Sequence, residues 1–263
     1  MTHAHALRRA FEEDGYVLTP AALSTAEVAA LRLELDAAIQ AEVAYHGTED
    51  YPDYGMVLVC PLYGPVMRDL LAHPAVMAPF EAVLGEGCIV YAYISSSMPP
   101  ASSHAGRNYS VRVHVDCPRL IPGYVTNMGV TIALDDFTED NGATYFLPGS
   151  HERAAPPSDE EFYRTAKRFI APAGSLLHFN ARLWHSGGIN RTSEWRHGLT
   201  INMCRPYMKQ RMDLPRLLRA AHVDLSGADE RVLQKLGFFA QPPASYEEYY
   251  APIAQRPFRQ KAE

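Results

Sequence analysis

The sequence predicts a mainly β protein with flanking α-helices, organised as a single domain over residues 1–263. From about residue 89, short apolar runs alternate with Gly, Pro, Asn or Asp, and strand-length runs at such close spacing are typical of a β-sandwich or barrel. The N-terminal part instead carries apolar residues at helical spacing. The chain is 47% hydrophobic and 21% charged, an ordinary globular composition, and no linker-like segment divides it.

The N-terminal part (about residues 3–45) is predicted to form helices that support the sheet. The run LRRAFEEDG places two apolar residues four apart, and Gly15 can end this first helix. The short run YVLT then predicts a strand. A second helix is predicted to begin with a capping box formed by Ser24 and Glu27. The apolar stripe of this helix consists of Val28, Leu31, Leu35 and Ile39.

The predicted β core covers about residues 89–205. Its strand-length runs are CIVYAYIS, SVRVHVD, MGVTIALDD, ATYFLPG, RFIAPAG, SLLHFN and HGLTINMCR. The polar segment from Glu152 to Lys167 predicts a surface loop with one helical turn. The C-terminal extension, about 206–263, is mixed in character and predicts a short helix around residues 214–221.

The composition disfavours two classes of partner. The formal net charge is -6 and the pI is about 6.0, whereas nucleic-acid-binding proteins are more often basic. No run of about 18 apolar residues is present, so no membrane span is expected. The cysteines are far apart and form no CxxC pair, which argues against a zinc knuckle or a disulfide framework and favours a cytoplasmic location.

One predicted strand, SVRVHVDC at residues 110–117, has two different faces. Its valines alternate as on a buried face, whereas the second face would carry Arg112, His114 and Asp116. Because residues two apart point to the same side of a strand, His114 and Asp116 would present an imidazole and a carboxylate side by side. A His–Asp pair that satisfies itself is the alternative for so short a motif. With a second histidine, the pair would form the 2-His-1-carboxylate set that is diagnostic of non-haem Fe(II) oxygenases.

The second histidine must come from a distant part of the sequence. His178 and His185 both lie in the run SLLHFNARLWHSGGIN. His178 falls within a regular apolar run and is predicted to be a packed strand residue. His185 precedes SGG, where the backbone can turn tightly and leave a pocket open, so His185 is predicted to be the third metal ligand.

Arg196 opens the next predicted strand, eleven residues after His185. A guanidinium group matches a carboxylate through two parallel hydrogen bonds, and a buried arginine needs such a partner. Arg196 therefore either binds the far carboxylate of a dicarboxylate that chelates the metal, or forms an ordinary surface salt bridge with a residue such as Glu194.

Four stretches together resemble the phytanoyl-CoA dioxygenase family of Fe(II)/2-oxoglutarate oxygenases. They are FEEDGYVLTPAALSTAEVAALR at 11–32, HVD at 114–116, DDFTEDNGATYFLPGSH at 135–151 and WHSGGINRTSEWR at 184–196. They occur in the family's order, and the resemblance extends from about residue 8 to about residue 205.

This resemblance implies a double-stranded β-helix (jelly-roll) core buttressed by N-terminal helices. It implies that His114, Asp116 and His185 bind Fe(II), that 2-oxoglutarate and O2 are co-substrates, and that Arg196 binds the distal carboxylate of 2-oxoglutarate. Thr144 is expected to reach the co-substrate. Arg112 is expected to contact an anionic substrate or the co-substrate, with a salt bridge to a nearby acid as the alternative. The implied reaction is hydroxylation of an unactivated C–H bond in a small-molecule metabolite or biosynthetic intermediate, with release of succinate and CO2.

Two other functions remain possible from the sequence. The first is a cupin-type metal-dependent dioxygenase or isomerase that does not use 2-oxoglutarate. The second is a non-catalytic jelly-roll binding protein. In the first case Arg196 would have no dicarboxylate to bind; in the second neither Fe(II) nor 2-oxoglutarate would bind.

Two segments are candidates for covering the pocket. The Ser- and Pro-rich segment 95–109 precedes the metal-binding motif and is a candidate lid over the barrel mouth. Arg107, Tyr109 and Arg119 are then candidates for substrate contact, with solvated loop residues as the alternative. The tyrosine-rich segment 50–64 is the second candidate.

Overall fold

The computed structural model describes residues 3–51, 53–103 and 111–256. Its strands form a five-stranded antiparallel sheet with the order β1-β6-β3-β8-β2 and a three-stranded antiparallel sheet with the order β5-β4-β7. The strands are β1 (Tyr16–Thr19), β2 (Ile89–Ser95), β3 (Asn127–Ala133), β4 (Tyr145–Phe146), β5 (Lys167–Arg168), β6 (Leu176–Asn180), β7 (His185–Ser186) and β8 (Gly198–Cys204). The predicted mainly β core with flanking helices is confirmed.

The helices lie mainly in the N-terminal part of the chain and after β8. They are α1 (His3–Asp14), α2 (Thr25–His46), α3 (Pro65–Asp69), α4 (Pro74–Leu84), α5 (Asp159–Thr165), α6 (Leu214–Ala220), α7 (Glu230–Leu236) and α8 (Tyr246–Tyr250). The predicted helices correspond to α1, α2, α5 and α6, whereas α3, α4, α7 and α8 were not predicted. Among the described residues, no helix has the length and apolar character needed to cross a bilayer.

The N-terminal support forms as its local signals indicate. Gly15 follows α1 with a φ of 81°, a left-handed conformation that favours glycine. Ser24 caps α2: its hydroxyl accepts from the backbone N–H of Glu27, and the Glu27 carboxylate accepts from the N–H of Ser24. The buried residues of α2 are Val28, Leu31, Leu35 and Ala38. Ile39, the last residue of the predicted stripe, is partly buried and packs against the same core.

Both faces of the large sheet are covered. Leu176 packs in the cluster shared with the N-terminal helices and α4, whereas its neighbour Leu177 packs in a second cluster with Phe137 and Phe146. Successive strand residues point to opposite faces, so adjacent leucines stabilise two different interfaces. Burial on both sides explains why β3 is buried along its entire length.

The segment predicted as the strand SVRVHVDC is not a regular strand over its described residues, 111–117. His114 forms an isolated antiparallel bridge with His185, and the N–H groups of Asp116 and Cys117 both donate to the carbonyl of Ala181. Two successive N–H groups that converge on one carbonyl break the alternation of a strand. The valines are accordingly half-buried rather than buried on one face.

Candidate metal centre and its cavity

A cavity of about 380 Å³ is lined by residues of both sheets. Strands β2, β3, β6 and β8 of the large sheet contribute to its walls, and β7 contributes His185. This volume lies in the range of small-molecule sites. The lining also contains His114, Asp116, Thr144 and Arg196. The cavity therefore brings the predicted site residues together.

His114, Asp116 and His185 form one cluster on the cavity wall. The Nε2 atoms of His114 and His185 each lie 3.7 Å from Oδ1 of Asp116. One ligand atom from each of the three side chains lies within 4.8 Å of the other two. The two histidines are distant in sequence but meet because the backbone N–H of each donates to the carbonyl of the other, at 2.9 Å. The arrangement can hold one metal ion on three donors.

Both imidazole rings are held in the tautomer that a metal requires. The Nδ1 atom of His114 lies 2.8 Å from the carbonyl of Arg112, and that of His185 lies 2.8 Å from the carbonyl of Leu183. A carbonyl can only accept, so Nδ1 donates in each ring and Nε2 keeps its lone pair. Burial, followed by the charge of His185, lowers the pKa of His114, which keeps this ligand neutral at neutral pH.

Asn202, on β8, fixes the third ligand and was not predicted from the sequence. Its Nδ2 donates to Oδ2 of Asp116 at 3.2 Å, while Oδ1 of the carboxylate faces the two imidazoles. This bond favours coordination through Oδ1 alone, which leaves more positions open on a metal than coordination through both oxygens. The available signal was the alternation in GLTINMC, in which Thr200 and Asn202 share the polar face of an otherwise apolar strand.

The donor set fits Fe(II). Two neutral imidazoles and one carboxylate are borderline and hard ligands, and three protein donors leave room for further ligands on the metal. The side chains that hold these donors are themselves hydrogen-bonded, as expected where a site keeps its ligands oriented.

Arg196 lines the same cavity and is only 2% exposed. Its guanidinium carbon lies 4.0 Å from the centre of the Phe137 ring, and its Nη2 donates to the carbonyl of Gly142 at 3.2 Å. Within the described part of the chain, Nε and Nη1 have no hydrogen-bond partner. Burial lowers the pKa of Arg196 to about 9, with Asp135 acting in the opposite direction. The alternative of a surface salt bridge is wrong, because this cation is buried and two of its nitrogens have no partner among the described residues.

The remaining predicted residues are distributed as follows. Thr144 is half-buried in the cavity wall, and Arg112 is exposed and lines the cavity. His178 is fully buried in β6, and its Nε2 lies 2.9 Å from the carbonyl of Val76. Burial lowers the pKa of His178 to about 4. The assignment of His178 to the packed strand is therefore confirmed.

The predicted covering segments contribute only in part. Residues 95–98 line the cavity at the start of the proposed lid, whereas Arg107 and Tyr109 lie outside the described residues. Arg119 lines a different cavity and not the metal cavity, and its role as a substrate contact stays a prediction. From segment 50–64, Met56 reaches the wall.

Curated relatives resemble the chain over most of its length. The uncharacterized protein Rv1501 of Mycobacterium tuberculosis is 30% identical over 251 residues, which are 93% of this chain and 90% of that protein. Dioxygenase af480 of Aspergillus fumigatus is 29% identical over 196 residues, which are 70% of this chain and 60% of that protein.

The fold is also found among solved structures. HygX from Streptomyces hygroscopicus, solved with nickel and 2-oxoglutarate bound, superposes with a TM-score of 0.61 at 16% identity, over 80% of this chain and 89% of that chain. This likeness confirms the predicted jelly-roll core with flanking helices.

The sequence model of the phytanoyl-CoA dioxygenase family matches residues 11–198 of the chain. Fe(II), 2-oxoglutarate and O2, the cofactor and co-substrates predicted from the sequence, are those of this family. The match covers more than half of the chain and includes His114, Asp116, His185 and Arg196. The protein belongs to the phytanoyl-CoA dioxygenase family.

Proposed function

We propose that the protein is an Fe(II)/2-oxoglutarate-dependent oxygenase that hydroxylates an unactivated C–H bond of a small-molecule metabolite or biosynthetic intermediate, releasing succinate and CO2. The observation that carries the proposal is the presence of two complementary features in one cavity. One is a set of three metal-ligand atoms, and the other is a buried arginine whose Nε and Nη1 have no partner within residues 3–51, 53–103 and 111–256. A metal ion would bind to the three ligand atoms, and a dicarboxylate that chelates this metal would place its second carboxylate at the arginine.

His114, Asp116 and His185 are proposed to hold the iron through Nε2, Oδ1 and Nε2. Bound there, Fe(II) and 2-oxoglutarate supply the oxidising chemistry that transfers oxygen from O2 to the substrate. The chain's own contribution is to orient the ligands: the carbonyls of Arg112 and Leu183 fix the imidazoles, and Asn202 holds the carboxylate.

Arg196 is proposed to bind the distal carboxylate of 2-oxoglutarate through its unpaired N–H groups. Phe137 and the Gly142 carbonyl hold its guanidinium from two sides, so the side chain is already placed before the anion arrives. Thr144 is proposed to contact the same co-substrate from the cavity wall. Apolar residues of the wall, including Ile94 and Phe179, exclude water around the reacting C–H bond.

Two further observations support this proposal. The relative af480 is named a dioxygenase. HygX, which has the same fold, was solved with nickel and 2-oxoglutarate bound. The described cysteines are buried and form no disulfide with one another, which supports a cytoplasmic location.

The test is an anaerobic titration with Fe(II) and then 2-oxoglutarate, monitored by the visible charge-transfer band of the iron–2-oxoglutarate complex. The wild type should develop the band and His185→Ala should not. His46→Gln, at the end of α2 and away from the cavity wall, serves as the matched control and should behave as the wild type. Binding of Fe(II) without a band would favour a cupin-type enzyme, and binding of neither would favour a non-catalytic protein.

A further inference from the structure

The charge of the cavity wall is opposite to that of the whole chain. The chain has a formal net charge of -6. The lining contains three arginines and a single carboxylate, so with neutral imidazoles it carries a net charge of +2. A divalent metal and a dicarboxylate would bring no net charge, and Asp116 and Arg196 balance each other. The positive charges of Arg112 and Arg211 therefore remain after the cofactors are bound.

Arg211 is held at the cavity by an irregularity in β2. The register of β2 against β8 shifts between Val90 and Ala92, which leaves Tyr91 unpaired within the sheet. The carbonyl of Tyr91 instead accepts from the backbone N–H of Arg211 at 2.9 Å. Beside it, Nε2 of Gln210 donates to the carbonyl of Val90 at 2.8 Å. A bulge of this kind is commonly used to redirect side chains next to an active site.

Arg112 lines the same cavity but belongs to a different segment, residues 111–117. Its carbonyl accepts the Nδ1–H of His114, so its backbone is fixed two residues from a proposed metal ligand. Arg112 and Arg211 are both exposed while lining the cavity, which places them at its mouth. No carboxylate among the described residues pairs with either side chain.

We propose that the substrate carries a carboxylate or phosphate group, which Arg112 and Arg211 bind at the mouth while an apolar part of the substrate lies against the inner wall. This inference rests on the proposed oxygenase function. Arg196 is the buried partner for 2-oxoglutarate, which leaves Arg112 for the substrate. Guanidinium groups recognise both carboxylates and phosphates, and Met56, Ile94 and Phe179 provide apolar contact deeper in the cavity.

The test uses three probes with the same alkyl chain: octanoate, octyl phosphate and octanol. Each is titrated by calorimetry into protein loaded anaerobically with Fe(II) and 2-oxoglutarate, and the charge-transfer band is recorded throughout. The wild type should bind at least one anion about tenfold more tightly than octanol, because two partly exposed ion pairs each contribute modestly. Preference for octanoate or for octyl phosphate identifies which anion fits.

The double variant Arg112→Gln/Arg211→Gln should lose this preference and keep the band. The matched control Arg164→Gln/Arg216→Gln removes two charges from exposed positions on α5 and α6 and should keep the preference. Equal binding of all three probes, binding of none, or a preference that survives in the Arg112→Gln/Arg211→Gln variant would overturn the inference. Absence of the band in the wild type would instead be a failure of the proposed function.

Discussion

The cavity wall at Arg196 and the junction between α7 and β2 at Lys235 both bury a cation, but they satisfy it differently. Lys235 is fully buried, and its Nζ donates to Glu81 at 2.9 Å, to the Glu86 carbonyl at 2.6 Å and to the Cys88 sulfur at 3.4 Å. Arg196 is 2% exposed, and two of its three nitrogens have no partner among the described residues.

The difference separates a structural charge from a binding charge. An ammonium group has three donors, and those of Lys235 all have partners within the chain. A guanidinium group has five, and most of those of Arg196 have no acceptor in the part of the chain that the structure describes. Leaving buried N–H donors unpaired is energetically unfavourable. The unpaired donors of Arg196 are therefore best explained by an anion that binds to them from solution.

The largest expected effect comes from removing a proposed metal ligand. Asp116→Ala and His185→Ala should each abolish iron-dependent turnover, because two remaining donors hold Fe(II) too weakly. Succinate release in the presence of Fe(II), 2-oxoglutarate and O2 measures this effect. Succinate release at the wild-type rate by either variant would contradict the assignment of the metal centre.

Loss of the hydrogen bond to Asp116 should have the next largest effect. Asn202→Leu keeps similar volume but removes the donor, and we expect Fe(II) affinity to fall by about 10- to 100-fold, as for other residues that orient metal ligands. Calorimetric titration with Fe(II) measures the dissociation constant, and thermal unfolding checks the fold. A lower unfolding temperature with unchanged Fe(II) affinity would show that Asn202 is merely structural.

A substitution in the cluster around Lys235 should lower the stability of the protein and leave the binding of 2-oxoglutarate unchanged. Glu81→Gln removes the carboxylate that pairs with Lys235 and with Arg231, and we expect the free energy of unfolding to fall by about 3 kcal/mol because a buried cation loses its partner. Denaturant unfolding measures this change. Weaker binding of 2-oxoglutarate in this variant, with the fold intact, would contradict the separation of the two regions.

The smallest expected effect is a pH dependence of that stability. Burial alone would raise the pKa of Glu81, but hydrogen bonds from Arg231 and Lys235 outweigh it and lower the pKa below its ordinary value of 4.5. Stability from this carboxylate is therefore present above pH 4.5 and is lost as the pH falls through the lowered pKa. Unfolding curves at decreasing pH should show a smaller loss for Glu81→Gln than for the wild type. Equal losses in the two proteins would exclude this contribution.

Much of the fold could be predicted from local sequence patterns. The Ser24 capping box and the apolar spacing of α2 predicted that helix, and apolar runs predicted most of the sheet. Helix α3 has only five residues, which is too few for a periodic pattern, and α4 is apolar on most sides and contains Pro79, so it shows no amphipathic stripe.

The metal centre could be predicted only in part from the sequence. Spacing placed His114 beside Asp116, and the SGG turn and then the family resemblance pointed to His185 as the third ligand. The long-range bridge that brings His185 to His114 was not predicted. The predicted strand was wrong over its described residues, 111–117, because converging hydrogen bonds to Ala181, which involve a distant part of the chain, redirect the backbone. Asn202 was missed for the same reason, since its role appears only once β8 lies beside Asp116.

The most direct test of the central claim is the dissociation constant of 2-oxoglutarate for Fe(II)-loaded Arg196→Gln, measured anaerobically through the charge-transfer band, with Glu81→Gln as the control. Arg196→Gln should bind 2-oxoglutarate roughly 10- to 100-fold more weakly, because it loses charge-assisted hydrogen bonds, while it keeps Fe(II) affinity. Glu81→Gln should bind it as the wild type does. Unchanged 2-oxoglutarate affinity in Arg196→Gln would contradict the view that this buried cation awaits an anion from solution.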